Sequence, residues 1–96
     1  MTVIVAYDVN TESKAGQRRL RRVAQACEDY GQRVQKSLFE CVLRDVDWLR
    51  LKNRLMQEYC EKEDSLRFYF LDAGAKAKTE HHGVKKPVDL EGALIV

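Results

Sequence analysis

The sequence predicts an α+β domain: an antiparallel sheet with two helices packed on one face, in the order β-α-β-β-α-β with a further C-terminal strand. Three observations carry this. Two segments repeat apolar residues at helical spacing: Leu20, Val23, Ala24 and Cys27, then Trp48, Leu51, Leu55 and Tyr59. Segments around 2–9, 33–43 and 65–71 alternate with a period of two. The 96 residues are 45% apolar and 33% charged, a balance that supports one globular domain over the whole of 1–96 and excludes a disordered chain.

Each element has a local reason. In residues 2–9, Val3, Val5, Tyr7 and Val9 share one face, and Ile4 and Ala6 the other with Asp8 at its far end. A strand apolar on both faces is buried on both. Residues 10–14 read as loop. The first helix spans about 16–30, with Arg18 and Arg22 opposite its apolar stripe, Arg19 and Arg21 flanking it, and Gly31 as a left-handed terminator. Residues 33–43 read as strand, with Ser37, Phe39, Cys41 and Leu43 on one face. Asp45 is positioned to cap a second helix running to about residue 60.

Residues 61–64 read as a polar turn. Residues 65–71 are a strand with Leu66, Phe68 and Phe70 opposite Arg67, Tyr69 and Leu71. Residues 78–82 are a polar strand, expected at a sheet edge. The tail Leu94, Ile95 and Val96 is apolar. This order is the ferredoxin-like βαββαβ pattern. Two helices cover one sheet face, so the other requires a cover. A second copy of the sheet, packed face to face in a twofold homodimer, is the simplest one. The apolar tail also calls for burial, for which the partner's sheet edge is a candidate.

Several function classes drop out. Net charge is +2, so no whole-molecule bias toward nucleic acid or membrane exists. No apolar run is long enough to span a bilayer. Cys27, Cys41 and Cys60 are odd in number and widely spaced, which points to reduced thiols in a cytoplasmic protein and against a zinc site. His81 and His82 are neighbours on a strand and point to opposite faces. There is no GxGxxG, P-loop or GxSxG, hence no support for a nucleotide cofactor or serine hydrolysis.

Two features point to chemistry. Asp8 ends an otherwise apolar strand; it is either a solvated strand end or cap, or a ligand for a hard divalent cation, Mg²⁺ or Mn²⁺. One carboxylate makes a thin metal site, and a twofold dimer would supply the second. The segment from Lys14 to Arg22 holds five basic residues, Lys14, Arg18, Arg19, Arg21 and Arg22, and no acid. It is either a solvated helix face or a phosphate-binding surface, which Arg33 and Lys36 would extend. Ser37 and Phe39 are an ordinary strand pair, or, if they face a groove, a hydroxyl for a phosphate and a ring for a sugar or base.

Taken in order, VIVAYDVN, RRLRRVAQAC, YGQRVQKSLFEC, DSLRFYFL and EHHG with a short apolar end resemble the CRISPR-associated protein two family, the small partner of the integrase in spacer acquisition. The KTEHHG stretch is similar to the subtype I-C branch. The resemblance covers nearly the whole chain and implies a ferredoxin-like homodimer with the last strand crossing to the partner sheet, so that the segment of about 78–96 pairs with the partner subunit. It implies that Asp8 binds a divalent metal near the dimer axis, that Tyr7, Ser37 and Phe39 belong to that site, and that Arg18, Arg19, Arg22, Arg33 and Lys36 meet nucleic acid. Two activities follow from it: a metal-dependent endonuclease on double-stranded DNA or on RNA, or a non-catalytic DNA-binding bridge between integrase dimers. A related alternative is the virulence-associated ribonuclease toxins, which share the strand-end aspartate.

Overall fold

The structure, a computed structural model, describes residues 1–71 and 78–84. Its elements are β1 (Thr2–Asp8), α1 (Lys14–Tyr30), β2 (Gln32–Gln35), β3 (Leu38–Val42), α2 (Asp45–Glu58), β4 (Ser65–Phe70) and β5 (Lys78–Gly83). The strands form one sheet in the order β2-β3-β1-β4-β5, with every neighbouring pair antiparallel. This is the βαββαβ arrangement predicted, with β5 added beside β4.

β1 lies at the centre because its core-facing residues are β-branched or aromatic: Val3, Val5 and Tyr7 are buried, as are Phe39, Cys41, Leu66 and Phe68 on its neighbours. Val23, Ala26 and Cys27 of α1 and Trp48, Leu51 and Leu55 of α2 close this side. Trp48 meets Phe68 and Phe70 edge-on, with ring centroids 4.9 and 5.4 Å apart. The opposite sheet face carries Ile4, Ala6 and Asp8 beside Leu38, Val42 and Tyr69, with Val42 74% exposed.

Three expectations change. The segment 33–43 is not one strand but a hairpin, folded back at Lys36 and Ser37 with a register shift between Arg33 and Gln35. Gly31 is extended rather than left-handed (φ −155°); glycine is needed there because a Cβ would sit 2.4 Å from Cys41 Sγ. Asp45 is the first helical residue, not the cap: Arg44 occupies that position without a side-chain capping bond. The turn expected at 61–64 is present, and its last residue, Asp64, is a buried carboxylate.

At the other end of the chain, Lys78–Gly83 pairs with β4 of its own chain, at the edge, as its polarity suggested. The part of the 78–96 segment from residue 85 onward, including Leu94 to Val96, lies outside the described residues. His81 and His82 point to opposite faces: His81 Nδ1 accepts from Arg67 Nε at 3.3 Å, and His82 Nε2 lies 2.7 Å from Glu80 Oε2. Cys27 and Cys41 are free thiols, and burial pushes them up to about 12 and about 11, so both stay protonated at neutral pH.

Candidate functional site

Asp8 sits where β1 leaves the sheet, opposite Ser65 of β4. Its side chain belongs to the face away from the helices and is exposed. Tyr7, one residue earlier, points to the helical side and is buried, with its ring stacked at 6.1 Å on Phe39. The strand end therefore presents a carboxylate on one side and a phenol on the other.

Next to it lies a groove of about 510 Å³. Tyr7, Asp8, Val9 and Thr11 form one wall, Leu20, Arg21 and Ala24 of α1 another, and Arg33, Lys36 and Ser37 the third. The floor is apolar because Leu20 and Ala24, at the edge of the α1 stripe, are only partly covered by the core. The rim carries three cations, Arg21, Arg33 and Lys36, and Asp8 borders it at the strand end. Such a groove suits a phosphate-bearing ligand with an apolar portion.

The structure thus brings together Tyr7, Asp8, Ser37, Arg33 and Lys36 of the residues singled out in the sequence. Phe39 is fully buried beneath Tyr7 and Arg33, the latter's guanidinium lying 4.8 Å above its ring. It does not line the groove; its ring supports two residues that do, Tyr7 and Arg33. The hairpin is the reason, since Ser37 is in the turn and no longer shares a strand face with Phe39.

The helix arginines divide. Arg18 and Arg22 are exposed and do not line the groove; Arg22 lies 3.7 Å from Glu58. Arg19 turns inward to Asp64, donating from Nε at 2.8 Å and from Nη2 at 3.1 Å, with a further bond to Glu63 at 3.2 Å. Its fork is occupied by carboxylates and is not presented to a phosphate. Arg21, one of the five cations of the basic segment and a flank of the apolar stripe, is the helix arginine that lines the groove. Its position one residue after Leu20 and three before Ala24 was the available signal: the stripe's exposed edge is where a groove opens.

The Tyr7 hydroxyl donates to Lys36 O at 3.4 Å. Burial raises its phenol above the ordinary value, more than the neighbouring Arg33 lowers it, so it remains a hydrogen-bond donor at neutral pH. Asp8 suits a hard cation as one oxygen ligand: it is exposed, and among the described residues no donor or cation engages it. No group of three or more His, Cys, Asp or Glu side chains assembles among the described residues. A divalent ion here would have one carboxylate per chain and complete its shell from water, substrate phosphate or a second copy.

The family model for CRISPR associated protein Cas2 matches residues 1–79, the span that contains every residue of this groove. The chain belongs to the Cas2 family. It is 54% identical over 96 residues to the CRISPR-associated endoribonuclease Cas2 of Chlorobaculum tepidum, covering 100% of both chains. It is 48% identical over 95 residues to the CRISPR-associated endonuclease Cas2 of Halalkalibacterium halodurans, covering 99% of each. Among solved structures, Streptococcus pyogenes Cas2 superposes with a TM-score of 0.69 at 54% identity, over 77% of this chain and 89% of that one. The Cas2 family therefore accounts for the fold, and the groove beside Asp8 is a feature of a Cas2 chain.

Proposed function

We propose that this chain is a nuclease of a CRISPR system that acts in spacer acquisition, cleaving phosphodiester bonds at Asp8 in a face-to-face homodimer with the help of Mg²⁺ or Mn²⁺. The observation that carries it is the convergence of Asp8, Arg21, Lys36 and Ser37 on one groove. Relatives named as endoribonuclease and endonuclease support the same reaction class.

The residues divide the work. Arg21 and Lys36 hold backbone phosphates without reading bases. The Ser37 hydroxyl donates to a non-bridging oxygen. Asp8 supplies a fixed anionic oxygen to the cation. Bound there, a divalent ion would make a water more acidic and offset charge gathering on the phosphate. The homodimer fits the incompletely covered apolar residues on the Asp8 face, half-buried Ile4, Ala6 and Leu38 and exposed Val42, since stacking that face on its copy would bring the two Asp8 carboxylates into the same interface layer.

The test is cleavage of plasmid DNA and of single-stranded RNA by wild type and Asp8→Asn, purified side by side, with Mg²⁺, Mn²⁺ or chelator. Metal-dependent cutting that is lost in Asp8→Asn while binding persists is the expected result. Equal cutting by both proteins removes Asp8 from the reaction.

One observation favours a second reading: the groove is lined by three cations, Arg21, Arg33 and Lys36, against the single acid Asp8. Binding of DNA through Arg21 and Lys36 would suffice for a non-catalytic bridge for the CRISPR integrase. Absence of cutting by wild type, together with salt-sensitive binding of duplex DNA, selects it.

A further inference from the structure

The β2–β3 turn is tied to the Asp8 strand by its own carbonyls. Lys36 O accepts the Arg33 Nη1–H at 2.5 Å and the Tyr7 hydroxyl at 3.4 Å. The next carbonyl, Ser37 O, accepts the backbone N–H of Tyr7 at 3.1 Å. The other terminal nitrogen of the Arg33 guanidinium is also engaged. Nη2 donates to Glu28 Oε2 at 3.0 Å, anchoring it to the last turns of α1, and its flat face rests over Phe39 at 4.8 Å.

A planar fork with one N–H of each terminal nitrogen on a separate oxygen, and a ring beneath it, is held in one orientation. Three N–H groups remain, but a bidentate phosphate contact would compete with these bonds for the fork's orientation and with the Glu28 carboxylate for its charge. The side chains that do face the groove without such commitments belong to the turn itself, Lys36 and Ser37. We infer that Arg33 is a positioning residue: it fixes the Lys36–Ser37 turn beside Asp8 and acts on the nucleic acid through that turn, not by a phosphate contact of its own. This rests on the groove being the nucleic-acid site.

Lysine keeps the charge of Arg33 but cannot make the planar fork, so Arg33→Lys separates the two roles. Glu28→Gln separates them by sign, because it loosens Arg33 without removing a cation. The full chain is compared as wild type, Arg33→Lys, Arg33→Gln, Glu28→Gln and Lys36→Gln, by binding of a short labelled DNA duplex against salt, by cleavage kinetics, and by hydrogen exchange at the Tyr7 amide.

A positioning role predicts that Lys36→Gln lowers the salt slope by about 0.9, while both Arg33 variants leave it unchanged. It predicts that Arg33→Lys loses kcat as fully as Arg33→Gln, that Glu28→Gln lowers kcat rather than raising binding, and that Tyr7 amide exchange accelerates about tenfold in all three. A slope that falls by about 0.9 in Arg33→Gln and is restored in Arg33→Lys overturns the inference. So does tighter binding by Glu28→Gln. If wild type neither binds nor cuts nucleic acid, the groove reading fails by itself, and the exchange rates still decide whether Arg33 holds the turn: unchanged exchange at Tyr7 overturns the inference.

Discussion

The buried carboxylate of Asp64 and the guanidinium of Arg19 form a two-point pair, Nε to Oδ2 at 2.8 Å and Nη2 to Oδ1 at 3.1 Å. The same carboxylate accepts the backbone N–H of Asn10 at 3.0 Å and of Cys60 at 2.8 Å. Asp64 thereby joins the loop after β1, helix α1, the end of α2 and the start of β4. Burial alone would raise its carboxyl; the bonds from Arg19, Cys60 and Asn10 and the Arg19 charge outweigh this and hold it below the usual carboxylate range.

Asp64→Ala is accordingly expected to cost about 3 kcal/mol, because it strands two backbone donors and a guanidinium that is mostly covered. Urea denaturation measures this. The pH dependence has a definite sign. With its folded value lowered, the Asp64 contribution is fully present above the unfolded carboxylate value and fades as pH falls below it. Wild type should lose its advantage over Asp64→Ala on acidification into that range and not between pH 6 and 8. A constant difference down to strong acid would show that Asp64 does not act as an anion.

The division among the helix arginines gives a second expectation. Arg21→Gln should weaken binding of a DNA duplex and lower the salt slope by about 0.9, as loss of one phosphate contact does. Arg19→Gln should leave the slope unchanged and lower the melting temperature instead, since its partners are Asp64 and Glu63. Fluorescence anisotropy over a salt series, paired with thermal melts, reads both. A slope loss in Arg19→Gln with an unchanged melt would reverse the assignment.

Part of this was legible in the residues. The alternation in β1 placed Asp8 on the face away from Tyr7, and the two helical stripes placed both helices on one side of the sheet. The hairpin between the helices was not, because Lys36-Ser37 contains no Gly, Pro, Asn or Asp to mark a turn. Alternation continues through it, so the pattern read as one strand. Asp64 was hidden for a different reason. It follows Glu61, Lys62 and Glu63, and a carboxylate in a charged run gives no local sign of burial; its partners come from Asn10, Arg19 and Cys60, distant in the chain. Arg19 and Arg21 look alike in sequence, and only tertiary packing sends one to Asp64 and the other to the groove.

Gly16 carries a third prediction. A Cβ at this position would lie 1.9 Å from the Asn10 carbonyl oxygen, closer than any real contact. In an open helix Gly→Ala gains about 1 kcal/mol. Here the start of α1 or the Asn10 loop would have to move, and Asn10 is held by Asp64. Gly16→Ala is expected to be destabilising by about 1–3 kcal/mol, the range for overpacking, and a stability equal to or above wild type in urea would show that the loop yields freely.

The sheet face away from the helices gives the last. Val42 on that face is 74% exposed, and Leu49 on the outer surface of α2 is 63% exposed. In a single chain the two should respond alike to a charge, each changing stability by no more than about 0.5 kcal/mol. In the proposed homodimer they should not, because only Val42 shares the face of Ile4, Ala6 and Leu38 that a second sheet would cover. Analytical ultracentrifugation at micromolar concentration should show wild type and Leu49→Asp at twice the chain mass, with Val42→Asp shifted toward the single chain by at least tenfold in dissociation constant. That follows because an unpaired carboxylate in a covered apolar face costs more than one factor of ten in association, about 1.4 kcal/mol. Equal dimerisation of both variants would move the interface off this face. A wild type that sediments as one chain would remove the dimer, and with it the second Asp8 carboxylate that the metal reading invokes.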